Sequence, residues 1–191
     1  MCIIVFRGII MIKTKIELKE YLEYEKKLYP NAIADILTND QRTYNWRYIK
    51  YLRKCEYHYN NRKQNLYHKI MYLWYRRRKN TLGSRIGVEI WENSFGKGLV
   101  IHHNGSIVVN RECRVGENCE LHGDNCFGNA GEGANVPTLG DNVNIGVGAK
   151  IIGKISIADN VKIGANAVVT KSFLEPGITI VGVPARKVER R

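Results

Sequence analysis

Large apolar residues recur at every sixth position through the C-terminal half of the chain. Ten positions from Val115 to Val169 share this spacing, and nine of them are bulky and apolar, with Gly133 the exception. A period of six fits neither an α-helix, with about 3.6 residues per turn, nor a single amphipathic strand, with a period of about two. The pattern is typical of a parallel β-helix, in which short strands stack and each coil covers the apolar edge of the previous one.

The phase of this repeat predicts where the β-helix begins and ends. A β-sandwich of short strands is the alternative, but its turns vary in length, whereas this phase holds over about fifty residues. Phe95, Ile101 and Ile107 extend the repeat upstream in a shifted phase, and a slip of two residues restores the frame at Val115. We therefore predict a mainly β fold, with a β-helix domain over residues 85–173, a polar, glycine-rich loop at 129–137 and a tail at 174–191.

Residues 11–84 carry a different pattern and are predicted to form an N-terminal α-helical region. Apolar residues at helical spacing indicate a first helix that ends before Pro30, because proline cannot continue it. Residues 38–40 offer a cap for a second helix, and a third covers residues 66–78, with the basic run at 76–79 suited to its C-terminus. Residues 1–10 are apolar without the features of a signal peptide, and we interpret them as a tail or a mis-start.

Charge divides the chain at about the same point. Residues 1–80 hold 18 Lys/Arg against 7 Asp/Glu, nearly all of the formal net charge of +12, and all 11 tyrosines. No nucleic-acid-binding motif accompanies this charge, so specific nucleic-acid binding is not expected. Packing against the β-helix is the simpler interpretation, and peripheral contact with the inner face of an anionic membrane is the other. Five cysteines without a CxxC pair favour reduced thiols and a cytoplasmic location.

Three histidines in the repeat domain are candidates for proton transfer. His102 and His103 are adjacent, and His122 follows His103 by nineteen residues, close to one coil of three hexapeptides. Stacked coils would therefore place His103 and His122 roughly above one another. An imidazole near neutral pKa is suited to remove a proton from a hydroxyl group. The alternative for each histidine is an ordinary polar residue at a corner of the coil.

Three segments resemble a known family. Residues 98–109, the loop at 129–137 and the Gly-Val-Pro-Ala-Arg tail at 182–186 are similar to the serine O-acetyltransferase branch of the left-handed β-helix, hexapeptide-repeat acyltransferases. The resemblance covers residues 85–190. It implies a left-handed coil and a homotrimer with acetyl-CoA sites between neighbouring prisms. It also implies that the acetyl group passes from acetyl-CoA directly to an acceptor hydroxyl.

The same resemblance assigns roles to individual residues. His103 matches the general base, and Glu89, in a Val-Glu-Ile-Trp segment, matches the carboxylate that orients it. His102 replaces the family's aspartate beside the base, and His122 is a further candidate in the site. The positions that match the acetyl-CoA site, of which the last two could meet a phosphate, are Gly128, Asn129, Val147, Gly148, Lys162, Ala165, Gly182, Arg186 and Lys187.

Two departures from the family bear on the acceptor. His102 stands where the family has an aspartate, and Asn135-Val136 stands where it has Arg-His. A zwitterionic amino acid needs charged partners when it is buried. We therefore predict that the acceptor is a sugar of a capsular or other cell-surface polysaccharide or its precursor. The alternative is serine, in a serine O-acetyltransferase of cysteine biosynthesis.

Two other classes of protein fit the sequence less well. A trimeric β-helix hydratase would hold zinc through three histidines, one of them followed two coils later by a pair five residues apart. No histidine follows His122, so no metal is predicted. A scaffold without catalytic activity is disfavoured because His103 and the tail at 182–186 are both intact.

Overall fold

The computed structural model describes residues 11–30, 33–38, 40–131 and 135–189, so the predicted segment 1–10 lies outside the described residues. Within these described residues, four helices precede fourteen short strands. The helices are α1 (Lys15–Leu28), α2 (Ile33–Leu37), α3 (Gln41–Asn61) and α4 (Leu66–Ile86). The strands are β1 (Val88–Glu89), β2 (Val100–Ile101), β3 (Ile107–Val109), β4 (Arg114–Val115), β5 (Glu120–Leu121), β6 (Cys126–Gly128), β7 (Thr138–Leu139), β8 (Asn144–Ile145), β9 (Lys150–Ile152), β10 (Ser156–Ile157), β11 (Lys162–Ile163), β12 (Val168–Val169), β13 (Thr179–Val181) and β14 (Arg186–Lys187).

The strands confirm the predicted left-handed parallel β-helix with an N-terminal helical region. They form three parallel sheets, the faces of a triangular prism: sheet A is β1-β3-β6-β9-β12, sheet B is β10-β7-β4, and sheet C is β13-β11-β8-β5-β2, to which β14 adds an antiparallel strand. In the regular coils, strand partners such as Asn144 and Lys162 are eighteen residues apart. Across the loop at 129–137, Cys126 pairs with Lys150, twenty-four residues on, so the loop is an insertion that leaves the stack intact.

The six-residue repeat fills the interior of the prism. Val115, Leu121, Phe127 and Leu139 are buried, and the positions that continue the repeat through Val169 are buried as well. Corner asparagines adopt left-handed backbone conformations, which asparagine tolerates better than most residues. The amides of Asn118, Asn142 and Asn160 also hydrogen-bond from coil to coil along one corner, at 3.1 and 3.2 Å.

The helices follow their capping signals. Thr14 and Glu17 form a capping box at the start of α1, and Asp40 caps α3. Helix α4 continues to Ile86, where Gly87 ends it in a left-handed conformation, so the predicted end at residue 78 is wrong. The basic run at 76–79 therefore lies inside the helix. Its last member, Lys79, is buried and donates to the carboxylate of Glu92 at 2.7 Å. No helix in the described ranges is both long and apolar enough to cross a bilayer.

Side chains from the helices satisfy the open edge of the first coil. Arg53 is fully buried and lies between the carboxylates of Glu25 (2.7 Å) and Glu56 (2.9 Å). Its guanidinium also donates to the backbone carbonyls of Phe95 (3.0 Å) and Gly96 (2.6 Å), at the start of the β-helix. Burial alone would disfavour the charge of Arg53, but the two carboxylates outweigh it and the pKa of Arg53 is raised. Arg53 therefore joins the helical region to the coils.

We predict that Arg53→Met destabilises the protein by about 3–5 kcal/mol, because the substitution leaves two carboxylates buried without their cation. Urea unfolding monitored by tyrosine and tryptophan fluorescence measures the change. The control is Arg42→Met. Arg42 pairs with Asp35 and Asp40 near the surface, so its loss should change the free energy of unfolding little. Equal stability of the two variants would contradict the role assigned to Arg53.

Candidate active site

A groove of about 430 Å³ runs along one corner of the prism. Its lining includes two of the predicted catalytic histidines, His103 and His122, and two of the predicted acetyl-CoA positions, Val147 and Ala165. These residues come from successive coils, whose stacking aligns them along the prism axis. Val147 remains 44% exposed on the rim, so the groove is open on its outer side.

His103 follows β2, the outermost parallel strand of sheet C. The free edge of β2 is satisfied by side chains of the helical region: the Tyr29 hydroxyl accepts from the N–H of Ile101 at 2.7 Å, and Asn45 donates to the carbonyl of Ile101 at 3.0 Å. Gln41, the first residue of α3, contacts His103 directly: Nε2 of Gln41 lies 3.1 Å from Nδ1 of the imidazole. The helices therefore hold both the strand and the ring that follows it.

The contact with Gln41 bears on the tautomer of His103. A carboxamide that presents its N–H donates to an unprotonated Nδ1, whereas the same group rotated by half a turn presents its oxygen and accepts from Nδ1–H. The second arrangement leaves Nε2 with a free lone pair, which is the form that can take a proton from an alcohol. Gln41 thus occupies the place expected for an orienting residue.

The predicted pairing of Glu89 with His103 does not form within the chain, and this is a correction. Glu89 lies on β1 of sheet A, opposite Val108, whereas His103 follows β2 of sheet C. Glu89 lines a separate cavity of about 370 Å³, together with Trp91 and other residues. The prediction came from the match of the Val-Glu-Ile-Trp segment to the family's motif, and in this chain that segment lies on a different face of the prism from His103.

The expected stacking of His103 over His122 is also corrected. The first coil is longer than eighteen residues: Val100 pairs with Glu120 and Ile101 with Leu121, so the next residues in register are His102 and His122. Their rings stack, with centroids 4.3 Å apart and planes 15° apart. Burial, followed by the neighbouring His102, lowers the pKa of His122.

The carboxylate of Glu120 joins this histidine pair. Its Oε2 atom lies 2.9 Å from Nε2 of His102 and 3.9 Å from Nε2 of His122, and it accepts a hydrogen bond from Asn144 at 3.1 Å. Glu120 and His122 flank the buried Leu121, so both point outward from the strand. The strand alternation and a coil of about twenty residues could together have indicated this cluster from the sequence. No local pattern could have indicated Gln41, which reaches the site from a different domain.

The corner beneath His103 is held by a buried asparagine. Asn125 accepts from the N–H of Gly123 at 3.1 Å and donates to the carbonyl of Gly146 in the next coil at 2.8 Å. Gly123 has φ of +104°, a conformation that favours glycine. It also leaves the space beside the Cβ of His103 free of a side chain.

The predicted acetyl-CoA residues do not all converge on this groove. Val147 and Ala165 line it, and Gly148 follows Val147 at the turn of the coil. The N–H of Gly148 donates to the carbonyl of Gly123 at 2.9 Å, so it is not free to hold an oxyanion. Lys162 is exposed on β11, opposite Asn144, and does not line the groove.

The remaining predicted acetyl-CoA residues lie further away. Gly128 ends β6 of sheet A, and Asn129 begins the loop, where its amide donates to the carbonyl of Gly131 at 2.7 Å. In the tail, Gly182 follows β13 with φ of +98°, at the turn into β14. Arg186 is exposed, while Lys187 is paired with Glu175 at 2.6 Å. Within one chain these residues do not line the groove of His103.

Comparison with known proteins identifies the repeat. Residues 137–171 match the model of the bacterial transferase hexapeptide family (six repeats). The serine acetyltransferase of Staphylococcus xylosus is 35% identical over 134 residues, which are 64% of this chain and 62% of that protein. The serine acetyltransferase of Synechococcus elongatus is 37% identical over 107 residues, 54% of this chain and 43% of that protein. The chain thus spans less than two thirds of the length of these curated relatives.

A solved structure shares most of this architecture. The crystal structure of serine acetyltransferase from Brucella abortus strain S19 in complex with coenzyme A has a TM-score of 0.70 and 25% sequence identity, and covers 91% of this chain and 68% of that chain. The helical region is included in this likeness, although the sequence of the region gave no visible sign of it.

These comparisons overturn the predicted preference for a polysaccharide sugar as acceptor. The relatives in sequence and structure are serine acetyltransferases, which favours the alternative interpretation. The prediction was wrong because it judged serine recognition from two local segments. Polar groups reach the site from elsewhere: Gln41 contacts His103, and Glu120 contacts His102.

Proposed function

We propose that this hexapeptide-repeat protein with an N-terminal helical region is a serine O-acetyltransferase that uses acetyl-CoA as its donor. The observation that carries the proposal is the position of His103. It lies in a groove with Val147 and Ala165, on a fold that B. abortus serine acetyltransferase presents in its complex with coenzyme A. The groove is lined in part by small residues such as Gly146 and Gly164, beside which an extended pantetheine chain could lie close to the backbone.

In the proposed reaction the hydroxyl of serine hydrogen-bonds to Nε2 of His103. Nε2 takes the hydroxyl proton as the oxygen attacks the acetyl carbonyl of the thioester. The carbon–sulfur bond then breaks, the thiolate of CoA leaves, and the imidazolium returns the proton to it. The products are O-acetylserine and CoA. A placed base of this kind typically contributes about two to four orders of magnitude in rate.

Gln41 is the orienting residue in this mechanism. With its carboxamide rotated by half a turn from the orientation in which Nε2 faces Nδ1, its carbonyl oxygen would accept from Nδ1–H of His103 and keep Nε2 unprotonated before serine binds. A neutral carboxamide fixes the tautomer but stabilises the imidazolium less than a carboxylate would. Cys113 and Cys119 are buried, and the partly buried Cys126 is not among the described residues that line the groove, which supports direct transfer without an acetyl-enzyme intermediate.

The active assembly in this proposal is a homotrimer. A second chain would supply the missing wall of the open groove. Gly128, Asn129 and Lys162 lie outside the groove of their own chain and could contact acetyl-CoA only from the neighbouring subunit. The tail at 182–186 then closes over the nucleotide, with Arg186 free to meet a phosphate as a charge-assisted donor. Lys187 would first have to release Glu175.

The helical region also presents a surface suited to an anionic membrane. Exposed apolar side chains on α4 follow a helical spacing, at Leu66, Ile70, Leu73 and Trp74. Arg77 and Arg78 lie beside them, and the guanidinium of Arg78 stacks over Trp74 at 4.7 Å. An apolar strip flanked by arginine matches the acyl chains and charged headgroups of an anionic lipid interface. We include peripheral membrane contact in the proposal on this ground.

We expect His103→Asn to lower kcat/KM for serine by at least about a hundredfold, since the base is lost. Loss of the thioester absorbance with L-serine as acceptor measures turnover, and gel filtration with light scattering checks that the assembly is unchanged. His68→Asn, in α4 and away from the groove, is the control, and because His68 is buried beside His58 its thermal unfolding is measured as well. Near-normal turnover by His103→Asn would move the base role to His102 or His122. Failure of the wild-type protein to use serine would refute the proposed function.

The groove itself can be tested by filling it. Val147→Trp should raise KM for acetyl-CoA by at least about tenfold, because a large side chain on the rim fills space that must hold the pantetheine chain. Val108→Trp is a close control, since Val108 is 42% exposed but lies on sheet A, outside the groove. An unchanged KM in Val147→Trp would place acetyl-CoA elsewhere.

Membrane contact predicts co-sedimentation with vesicles that contain phosphatidylglycerol and none with pure phosphatidylcholine. Replacement of Arg77 and Arg78 by glutamine should weaken the binding by about 1 kcal/mol per charge removed. Lys154 and Lys171 are exposed lysines of the β-helix. Their replacement by glutamine removes the same amount of charge from a different surface and should change vesicle binding little. An equal loss of vesicle binding in the two double variants would exclude α4 as the contact surface.

A further inference from the structure

The cluster of His102, Glu120 and His122 remains without a role in the proposed proton transfer. One nitrogen of each imidazole and one carboxylate oxygen all lie within 4.8 Å of one another. Glu120 Oε2 stands between the two rings, at 2.9 Å from His102 and 3.9 Å from His122. The three side chains point outward from stacked strands and are partly buried.

We propose that His102, Glu120 and His122 bind a divalent transition-metal ion of the zinc class at the edge of the groove. Two imidazole nitrogens and one carboxylate oxygen are a ligand set that zinc accepts, and three protein ligands leave a fourth position open. Ligand atoms in such a site lie about 2.0–2.2 Å from the ion. Small rotations of the side chains would therefore centre an ion among atoms that already lie close together.

The structure around the cluster supports this assignment. The strand register fixes the positions of the ligands. Ile101 pairs with Leu121, so His102 lies beside His122, and Glu120 lies on the same strand as Leu121. Asn144, opposite Glu120 on the next strand, donates to the same Oε2 atom at 3.1 Å and holds the carboxylate toward the histidines. Outer hydrogen bonds of this kind orient the ligands of known metal sites.

The earlier expectation of no metal concerned a different arrangement. It considered a site of three histidines with a fixed spacing along the sequence, whereas this cluster combines two histidines with a glutamate. Because the first coil is longer than eighteen residues, His102 lies in register with His122. The positions of the histidines in the sequence did not reveal this.

A bound ion would also address a gap in the proposed function. The described lining of the groove contains no lysine or arginine, although the carboxylate of serine needs a cationic partner. His122 belongs to both the cluster and the groove, so an ion held there would place a positive charge and an open coordination position beside the acceptor. This consequence rests on the proposed function, whereas metal binding itself does not.

Cobalt is the probe, because Co²⁺ replaces zinc and absorbs visible light. The full chain is stripped with a chelator, titrated with Co²⁺, and then challenged with Zn²⁺. We expect one Co²⁺ per chain, with the spectrum of a four- or five-coordinate site and no thiolate charge-transfer band, and full displacement by Zn²⁺. No stoichiometric binding, or a spectrum with thiolate ligation, would overturn the proposal.

Variants locate the site. His122→Gln and Glu120→Gln should each weaken Co²⁺ binding by at least about a hundredfold, beyond the roughly tenfold loss expected for Asn144→Leu, which removes only an outer partner. Glu112→Gln, an exposed glutamate outside the cluster, is the matched control and should bind as the wild type does. Thermal unfolding checks that each variant is folded. Unchanged binding in His122→Gln, or loss of binding in Glu112→Gln, would refute the assignment.

Turnover separates this inference from the proposed function. With metal bound, we expect a KM for serine at least about tenfold lower than in the stripped protein, with KM for acetyl-CoA unchanged, because only the acceptor carboxylate gains a partner. Serine turnover without any metal binding would leave the function standing and remove the metal site. Metal binding without serine turnover would leave the metal site standing and refute the proposed function.

Discussion

The open edge of the first coil is the constraint on which the rest of the structure depends. A stacked β-helix leaves a row of unpaired backbone groups at its end, and such groups must find partners or remain in water. Here the helical region supplies the partners: Arg53 binds two carbonyls, and Tyr29 and Asn45 satisfy the strand that leads to His103. The same docking brings Gln41 to the imidazole. Capping of the fold and orientation of the candidate base are therefore parts of one interface.

The register in which the coils stack is the second constraint on the candidate site. Within the regular coils each residue lies above its equivalent eighteen residues away, so a groove lined by small residues continues along the axis. The first coil is longer, and its extra residues bring His102 rather than His103 over His122. One histidine is thereby held in a cluster with Glu120, while its neighbour faces Gln41. Two adjacent histidines can consequently serve two different purposes.

Much of the fold followed from local patterns, and much of the site did not. The six-residue repeat predicted the β-helix and its buried positions, because each coil repeats the same packing. The cap predicted within residues 38–40 likewise lies where α3 begins, with Asp40 as the capping residue. The partners of His103 depend on how a helical region docks and on the exact length of one coil, which no single segment records. For this reason the sequence did not show that Glu89 and His103 lie on different sheets of one chain, and it gave no indication of Gln41 or Glu120.

The acceptor prediction failed for the same physical reason. It treated the loss of charged residues in two segments as the loss of serine binding, although recognition depends on every group that the fold gathers around the groove. A crystal structure of the chain with CoA and serine tests the account most directly. We predict the hydroxyl oxygen of serine at hydrogen-bond distance, about 3 Å, from Nε2 of His103, with the pantetheine chain along Val147. Serine or CoA bound instead in the cavity beside Glu89, with His103 facing solvent, would contradict it.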